Sequence, residues 1–338
     1  MKIAVYGSLF ALMQPPKIFY FCFSHDRPTG GNKKIYHHVD ILNRAGFEAY
    51  VVHFTDKFRI TWFKNETLVV NRSQFQRIYQ GDRDILVLPE DLGNKILSFP
   101  GKKVIFNQNI FHGFRVLSRS KTARIPYLDE SVIGAIAVSS HNREILRLSY
   151  PNLPIFRVYC GIDRDTFQFS KLSQKRKQIA ANPHKNDPEI LSAYQMLRSR
   201  SLQGLNSLQN WDWVWIEEKS EIDVAKILRE SAIFVSLSLQ EGFGILPLEA
   251  MASGCLVVAY GVEPMTEYLP PEVQLPPGDL KGIVDRIEAW GASFSEDSRD
   301  LQKLCDRSLE IAKTYSLQRE ADSVVSAWKS LLNQKVWF

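Results

Sequence analysis

Short apolar bursts separated by polar or helical stretches constrain this chain more than any other feature. "KIFYFCF" (Lys17 to Phe23), "EAYVVHF", "DILVLPE", "KKVIFNQ" and "IGAIAVSS" read as buried strands. Between the first two lie a loop, "SHDRPTGGNKK", and a helical pattern, "IYHHVDILNRAGF". Alternating strand and helix predicts a parallel sheet with helices on both faces. Ligands of such sheets bind at the carboxyl ends of the strands. The Gly30-Gly31 pair, after the first strand and before a helix, stands where backbone can approach a ligand; a lone Gly-Gly also fits an ordinary loop.

The first half closes with "IFRVYCGIDRDTF" (Ile155 to Phe167), and polar, basic "SKLSQKRKQ" follows with the look of a linker. The pattern then restarts: "QIAAN", "WDWVWIE", "AIFVSLS", "CLVVAY", "EVQLPP", interleaved with helices such as "IDVAKILRESA". A chain of 338 residues exceeds what one core usually supports. The expected fold class is α/β, with two doubly wound, Rossmann-like domains over residues 1–168 and 169–314, joined near residues 168–175 across a cleft. Residues 315–338 hold a last helical stretch, whose stripe of Val324, Val325, Trp328, Leu331 and Leu332 suits packing back on the first domain.

Charge is unevenly shared. Through Gln168 there are 23 Lys+Arg against 14 Asp+Glu, or +9, and the remainder carries −4. A basic half on an acidic half suits one half meeting an anionic surface or substrate, although uneven solvated faces would look the same. The basic residues are dispersed and no nucleic-acid motif is present, which speaks against a nucleic-acid partner. Cys22, Cys160, Cys255 and Cys305 are far apart without a C-x-x-C pair, so they read as buried thiols in a reducing compartment. No apolar run reaches the roughly 18–20 residues that span a bilayer. "MKIAVYGSLFALM" resembles a short signal core but lacks a small-x-small cleavage site, and reads better as an extra strand or interfacial segment. The expected location is the cytoplasm.

In "SLSLQEGFGILPLEAMASG" two carboxylates, Glu241 and Glu249, stand eight positions apart. In one helix that would be roughly 12 Å of rise, too far for joint action, so Glu241 belongs to a loop and Glu249 to a helix. Pro247 suits a first helical turn, and Gly254 suits its end. Gly242, Phe243, Gly244 and Ile245 then present backbone N–H groups at a helix N-terminus, a site that attracts phosphate. Glu249 is expected in the first turn, complementing the helix dipole and able to accept two vicinal hydroxyls. Two acceptor-only carboxylates flanking an anion site suit a ligand with hydroxyls at both ends and phosphate between, such as a nucleotide sugar. The alternative is one dipole-stabilising glutamate and one surface glutamate.

The run from Phe234 to Tyr260 resembles the Glu-x7-Glu signature of the retaining, metal-independent GT-B glycosyltransferases, specifically nucleotide-sugar family 4, the group 1 glycosyl transferases. "TGGNKKIYHHVDILNRAGFEAYVV" is similar to that family's glycine loop and helix, and "AIAVSSHNREIL" with "VYCGIDRDTF" to the end of its first domain. "LPPGD" and "YSLQREADSVVSAW" match the end of its second. The resemblance covers nearly all of the chain beyond about residue 16. It implies that Glu241 touches hydroxyls of the donor sugar and that Glu249 holds the ribose. It also implies that Phe243 to Ile245 lie along sugar and phosphates, and that Gly30-Gly31 closes on the diphosphate. Lys185 matches a phosphate-neutralising lysine, His112 a histidine near the donor sugar, and the turn at Ile216 and Glu217 is the candidate for base recognition. The family's companion arginine has no clear counterpart; Asn182 or His184 stands near its place, and Arg176 or Lys177 is either a substitute or linker charge.

No cofactor is implied, the donor being a nucleoside-diphosphate sugar of UDP or GDP type. Of the two D-x-D triplets, Asp82-Arg83-Asp84 reads as a turn before a strand and Asp163-Arg164-Asp165 lies inside the segment that resembles the family's interdomain motif; neither is read as a metal site. Fixed cations and helix N-termini then carry the charge of the departing diphosphate. The acceptor, a glycan or lipid-linked hydroxyl, is expected at the basic first domain. There "FTDKFRITWFKNETL" mixes Phe54, Phe58, Trp62 and Phe63 with Lys57, Arg59 and Lys64. Those aromatics either anchor on an anionic membrane or pack in the core. Rival readings are a silent sugar-nucleotide-binding protein and a GT-B epimerase or phosphorylase.

Overall fold

The computed structural model describes residues 15–119, 124–183, 186–294 and 299–333. The question about the segment "MKIAVYGSLFALM" falls outside them. The strands are β1 (Ile18–Phe21), β2 (Ala49–His53), β3 (Val69–Asn71), β4 (Ile85–Pro89), β5 (Lys102–Asn107), β6 (Val132–Ala137), β7 (Ile155–Arg157), β8 (Arg176–Ala181), β9 (Asp212–Trp215), β10 (Ser231–Ser236), β11 (Leu256–Tyr260) and β12 (Gln274–Leu275). The helices are α1 (Gly30–Arg44), α2 (Arg72–Ile78), α3 (Ile110–Leu117), α4 (Ser140–Ser149), α5 (Asp187–Leu202), α6 (Glu221–Glu230), α7 (Ile245–Ala252), α8 (Leu280–Ser293), α9 (Arg299–Lys313) and α10 (Leu317–Asn333).

Two parallel sheets result, as the alternation of bursts predicts. The first has the order β3-β2-β1-β4-β5-β6-β7 and the second β12-β11-β10-β8-β9. Every residue of β1 and β4 is buried, because both faces of a doubly wound sheet are covered and leave no position for a polar residue. The pleat divides β1 between two cores: Ile18 and Tyr20 face the core that includes α1, while Phe19 and Phe21 join Val52, Leu86 and Ile105 on the other face. This is the GT-B arrangement of two doubly wound domains.

The basic stretch between the sheets is tighter than the linker expected. Leu172 is buried, and the Lys175 Nζ donates to the carbonyls of Leu228 at 2.9 Å and Arg229 at 3.1 Å. A buried ammonium finds partners in the carbonyls that the end of a helix leaves unpaired. β8 already begins at Arg176, whose guanidinium pairs with Glu230 at 3.4 Å. Arg176 and Lys177 are therefore at the amino end of their strand, roughly 16 Å from its carboxyl end. They are not placed to replace the missing arginine.

α10 crosses back and lies on α1, β6 and β7. Lys34 Nζ donates to Glu320 Oε2 at 2.8 Å and to the Gly161 carbonyl at 2.7 Å, and Gly161 N–H donates to the same carboxylate at 3.1 Å. Trp328 Nε1 donates to the Tyr20 hydroxyl at 2.9 Å. Among the proposed membrane aromatics, Phe63 is buried against Tyr36 and His37, and Trp62 is half-buried with its carbonyl accepting from Glu221 N–H at 2.9 Å. These two rings belong to the packing, Phe63 within the core and Trp62 partly buried against it; Phe54 stays exposed. All four cysteines are buried and free, and no helix among the described residues is long and apolar enough to cross a membrane.

Candidate active site in the interdomain cleft

Parallel sheets open a crevice where successive connections leave in opposite directions. In the first sheet that place lies between β1 and β4, and in the second between β8 and β10. The chain leaves β1 toward Gly30, β5 at Gln108, and β10 toward Gly242. These segments meet across the cleft. A Cβ on Gly242 would lie 1.5 Å from the Gln108 carbonyl oxygen, and one on Gly30 would lie 2.9 Å from Ile245 Cδ1. A Cβ on Gly31 would lie 2.8 Å from Gln108 Oε1, while Gln108 Nε2 donates to the Gly31 carbonyl at 2.8 Å. Glycine is needed at Gly242 because backbone from the other domain occupies the side-chain position.

α7 begins two residues before Pro247. Its N-cap is Gly244, with φ of 81°, a left-handed conformation that a side chain resists. The Tyr268 hydroxyl donates to the Gly244 carbonyl and pins that turn. Gly254, also left-handed with φ of 81°, follows the helix end as its sequence suggests. The N–H groups of the first turn are those that a helix cannot satisfy internally. Glu249 is thus the fifth residue of the helix and stands in the second turn, correcting the first-turn expectation. Glu249 is 8 % exposed, and Glu241, in the preceding loop, 7 %. Burial pushes the Glu249 carboxyl up to about 7; Lys33 pulls against that shift and the nearby Glu221 charge adds to it.

Sequence reading missed three residues here. Lys33 in α1 reaches from the first domain to pair with Glu221 and lies 3.7 Å from Glu249 Oε1. Glu90 is buried, and its Oε1 accepts from Gln108 N–H at 2.9 Å and Asn109 N–H at 2.6 Å, fixing the turn that abuts Gly242. Burial and the adjacent Asp91 push the Glu90 carboxyl up to about 8. Gln108 is the third, lying against both glycine segments. For Glu90 the available signal was a charge directly after the wholly apolar strand β4; Gln108, after Asn107, and Lys33, after Asn32, carried none as clear.

The remaining candidates divide. Lys185 and His184 lie outside the described residues. Asn182, at the carboxyl end of β8, is described and half-buried. His112 is in the first turn of α3, where Asn109 Oδ1 accepts its N–H at 3.3 Å. Its half-exposed ring is 4.0 Å from Asp91. Ile216 is buried at the end of β9, donating to the Ala181 carbonyl at 2.8 Å, and Glu217 follows on the surface. Both D-x-D triplets serve their own turns: Asp84 accepts from Lys17 and Gln80 N–H, and Asp163 from Asp165 N–H and the Thr166 hydroxyl. The assembled cleft offers helix-terminal N–H groups between two buried carboxylates, closed from the far side by glycines. Such a site can hold a bridging anion and orient hydroxyls on both sides of it.

The family model described as Glycosyl transferases group 1 matches residues 182–301. A protein of Actinobacillus pleuropneumoniae serotype 7 (strain AP76), named Alpha-1,6-glucosyltransferase, is 27% identical over 252 residues, 71% of this chain and 72% of its own. In structure the chain is similar to sucrose-phosphate synthase from Thermosynechococcus elongatus, with a TM-score of 0.67 at 14% identity over 94% of this chain and 99% of that one. It is also similar to Anabaena HepE in complex with UDP and glucose, with a TM-score of 0.64 at 14% identity over 93% of this chain and 100% of that one.

Proposed function

We propose, from the premise that this chain is a group 1 glycosyltransferase with the GT-B fold, that it moves a hexose from a nucleoside-diphosphate sugar to a glycan or lipid-linked hydroxyl with retention of configuration. The observation that carries this reading is the pair of buried carboxylates on either side of the α7 N-terminus, faced by Gly30 and Gln108. Glu249 accepts the ribose hydroxyls, Glu241 the sugar hydroxyls, and the N–H groups from Phe243 to Ile245 lie along the diphosphate. Lys185 and these N–H groups meet the charge of the leaving diphosphate without a metal. His112, on the helix that follows the Gln108 turn, serves the donor sugar, and the Ile216–Glu217 turn the base. The carbon–oxygen bond to the diphosphate breaks as the acceptor hydroxyl attacks from the face that the diphosphate leaves. Neither carboxylate is a nucleophile; both bind and orient.

The donor is of UDP or GDP type, and a UDP-hexose is the first choice, because the structural relative from Anabaena is recorded with UDP and glucose. The acceptor binds on the basic first domain. We place the enzyme in the cytoplasm, a reducing compartment that suits four free thiols. Peripheral membrane contact, with Trp62 and Phe63 turned inward, rests on Phe54 and the exposed cation Lys57.

Donor hydrolysis and transfer with UDP- and GDP-hexoses test this reading. Glu249→Ala is expected to weaken nucleotide binding by about 1.5–3 kcal/mol, the worth of hydrogen bonds to a charged group. Glu241→Ala is expected to abolish most transfer with nucleotide affinity nearly intact. Wild-type transfer rates in both variants contradict the assignment.

A further inference from the structure

Lys33 is a buried cation that the reading above leaves without a role. It stands in the first turn of α1, directly after the glycine pair and Asn32, and is 7 % exposed. Its ammonium crosses from the first domain to two carboxylates of the second, pairing with Glu221 and lying 3.7 Å from Glu249, with its Nζ 5.5 Å from the centre of the Phe167 ring. A buried ammonium costs several kcal/mol unless it is paired, and both of its partners here belong to the opposite wall of the cleft. The contact exists only when the two domains are together, and it is made at the carboxylate assigned to the donor ribose.

We propose that Lys33 is a positioning residue for donor binding: held by Glu221, its ammonium keeps the Glu249 carboxylate ionised and turned to accept both ribose hydroxyls. The proposal rests on the reading of Glu249 as the ribose acceptor.

A carboxylate accepts hydrogen bonds at both oxygens only when ionised; once protonated, one oxygen becomes a donor. Burial works against ionisation at Glu249 and has brought its carboxyl up to about 7. The charges facing it are Lys33 and, more weakly, Lys34 from α1, which favour the ionised form, and Glu221 from α6, which opposes it. Lys33 in turn is faced by Glu320 from α10, by Asp163 beyond β7, and by His37 on its own helix. Removing Lys33 leaves burial and Glu221 acting together, so Glu249 titrates higher and is protonated at neutral pH. Removing the Glu221 charge acts in the opposite direction. A lysine with only a packing role predicts neither displacement.

Titration calorimetry with UDP, GDP and UDP-glucose from about pH 6 to about pH 9 tests this on wild type, Lys33→Met, Lys33→Arg, Glu221→Gln and Glu249→Ala, each checked for its folded spectrum. Wild-type affinity is expected to weaken below about pH 7. Lys33→Met is expected to bind about fivefold more weakly at neutral pH and to recover toward alkaline pH, because the Glu249 carboxylate, about half ionised in wild type at pH 7, becomes about one-tenth ionised if its acid constant falls tenfold. In turnover the loss is expected in the donor KM and far less in kcat. Lys33→Arg should restore the wild-type pH profile, and Glu221→Gln should move the acid limb to lower pH. If Lys33→Met does not fold, Glu221→Gln alone decides, and an unmoved acid limb overturns the proposal. It is equally overturned if Lys33→Met keeps wild-type affinity and pH profile while Glu249→Ala binds weakly. If wild type binds none of the three nucleotides, the donor reading itself fails and this proposal with it.

Discussion

At Gly242 a single hydrogen in place of a side chain lets the domains touch. Its Cβ position falls 1.5 Å from the Gln108 carbonyl oxygen, which is backbone and cannot swing aside. Gly242→Ala is therefore expected to hold the walls of the cleft apart and lower kcat/KM by about a hundredfold, the cost of misplacing reacting groups by about 1 Å. Gly30→Ala meets only the end of the Ile245 side chain, which can change rotamer, and should stay within about threefold of wild type. Steady-state kinetics on both variants, with circular dichroism to show that each folds, checks the contrast; equal effects would contradict it. Glu241, Glu249 and the glycines were legible in the sequence because their spacing along one segment is itself the signal. Lys33, Glu90 and Gln108 were not, because each acts through a contact between segments that only the tertiary fold brings together.

Elements were more legible than their ends. The apolar bursts gave the strands, since both faces of a doubly wound sheet are buried and their sequences are correspondingly continuous. Pro247 does stand in the first turn of α7, but the helix already starts at Ile245 after the left-handed Gly244 cap, so Glu249, expected in the first turn, falls in the second. The stretch read as a linker supplies the first residues of β8, since Arg176 and Lys177 are exposed at the amino end of an otherwise buried strand. The stripe on α10 was visible, but its buried ion pair was not. Burial alone would raise the Glu320 carboxyl; Lys34, with His37 and His38, overcomes that and holds it down at about 2. This stabilisation is present above the ordinary carboxylate value of 4.5 and is lost as pH falls through about 2. Glu320→Ala leaves Lys34 buried with only the Gly161 carbonyl and is expected to cost about 3–5 kcal/mol in denaturant unfolding. A loss below about 1 kcal/mol would show that α10 is not tied to α1 in this way.

The whole molecule is two doubly wound domains whose switch points face one another, bound together by α10 and by Lys33. This architecture puts the helix-terminal N–H groups of one domain opposite the glycine pair of the other, so that in the proposed reading the donor has a wall on each side. It also explains why composition alone said little about chemistry: the basic and acidic halves are the two walls, and the site is made only where they meet. The most direct measurement is a crystal structure of the protein with a UDP-hexose bound. The account predicts ribose hydroxyls on the Glu249 carboxylate, diphosphate at the first turn of α7, and hexose hydroxyls toward Glu241. A ribose bound away from Glu249, or a diphosphate away from that turn, would contradict it.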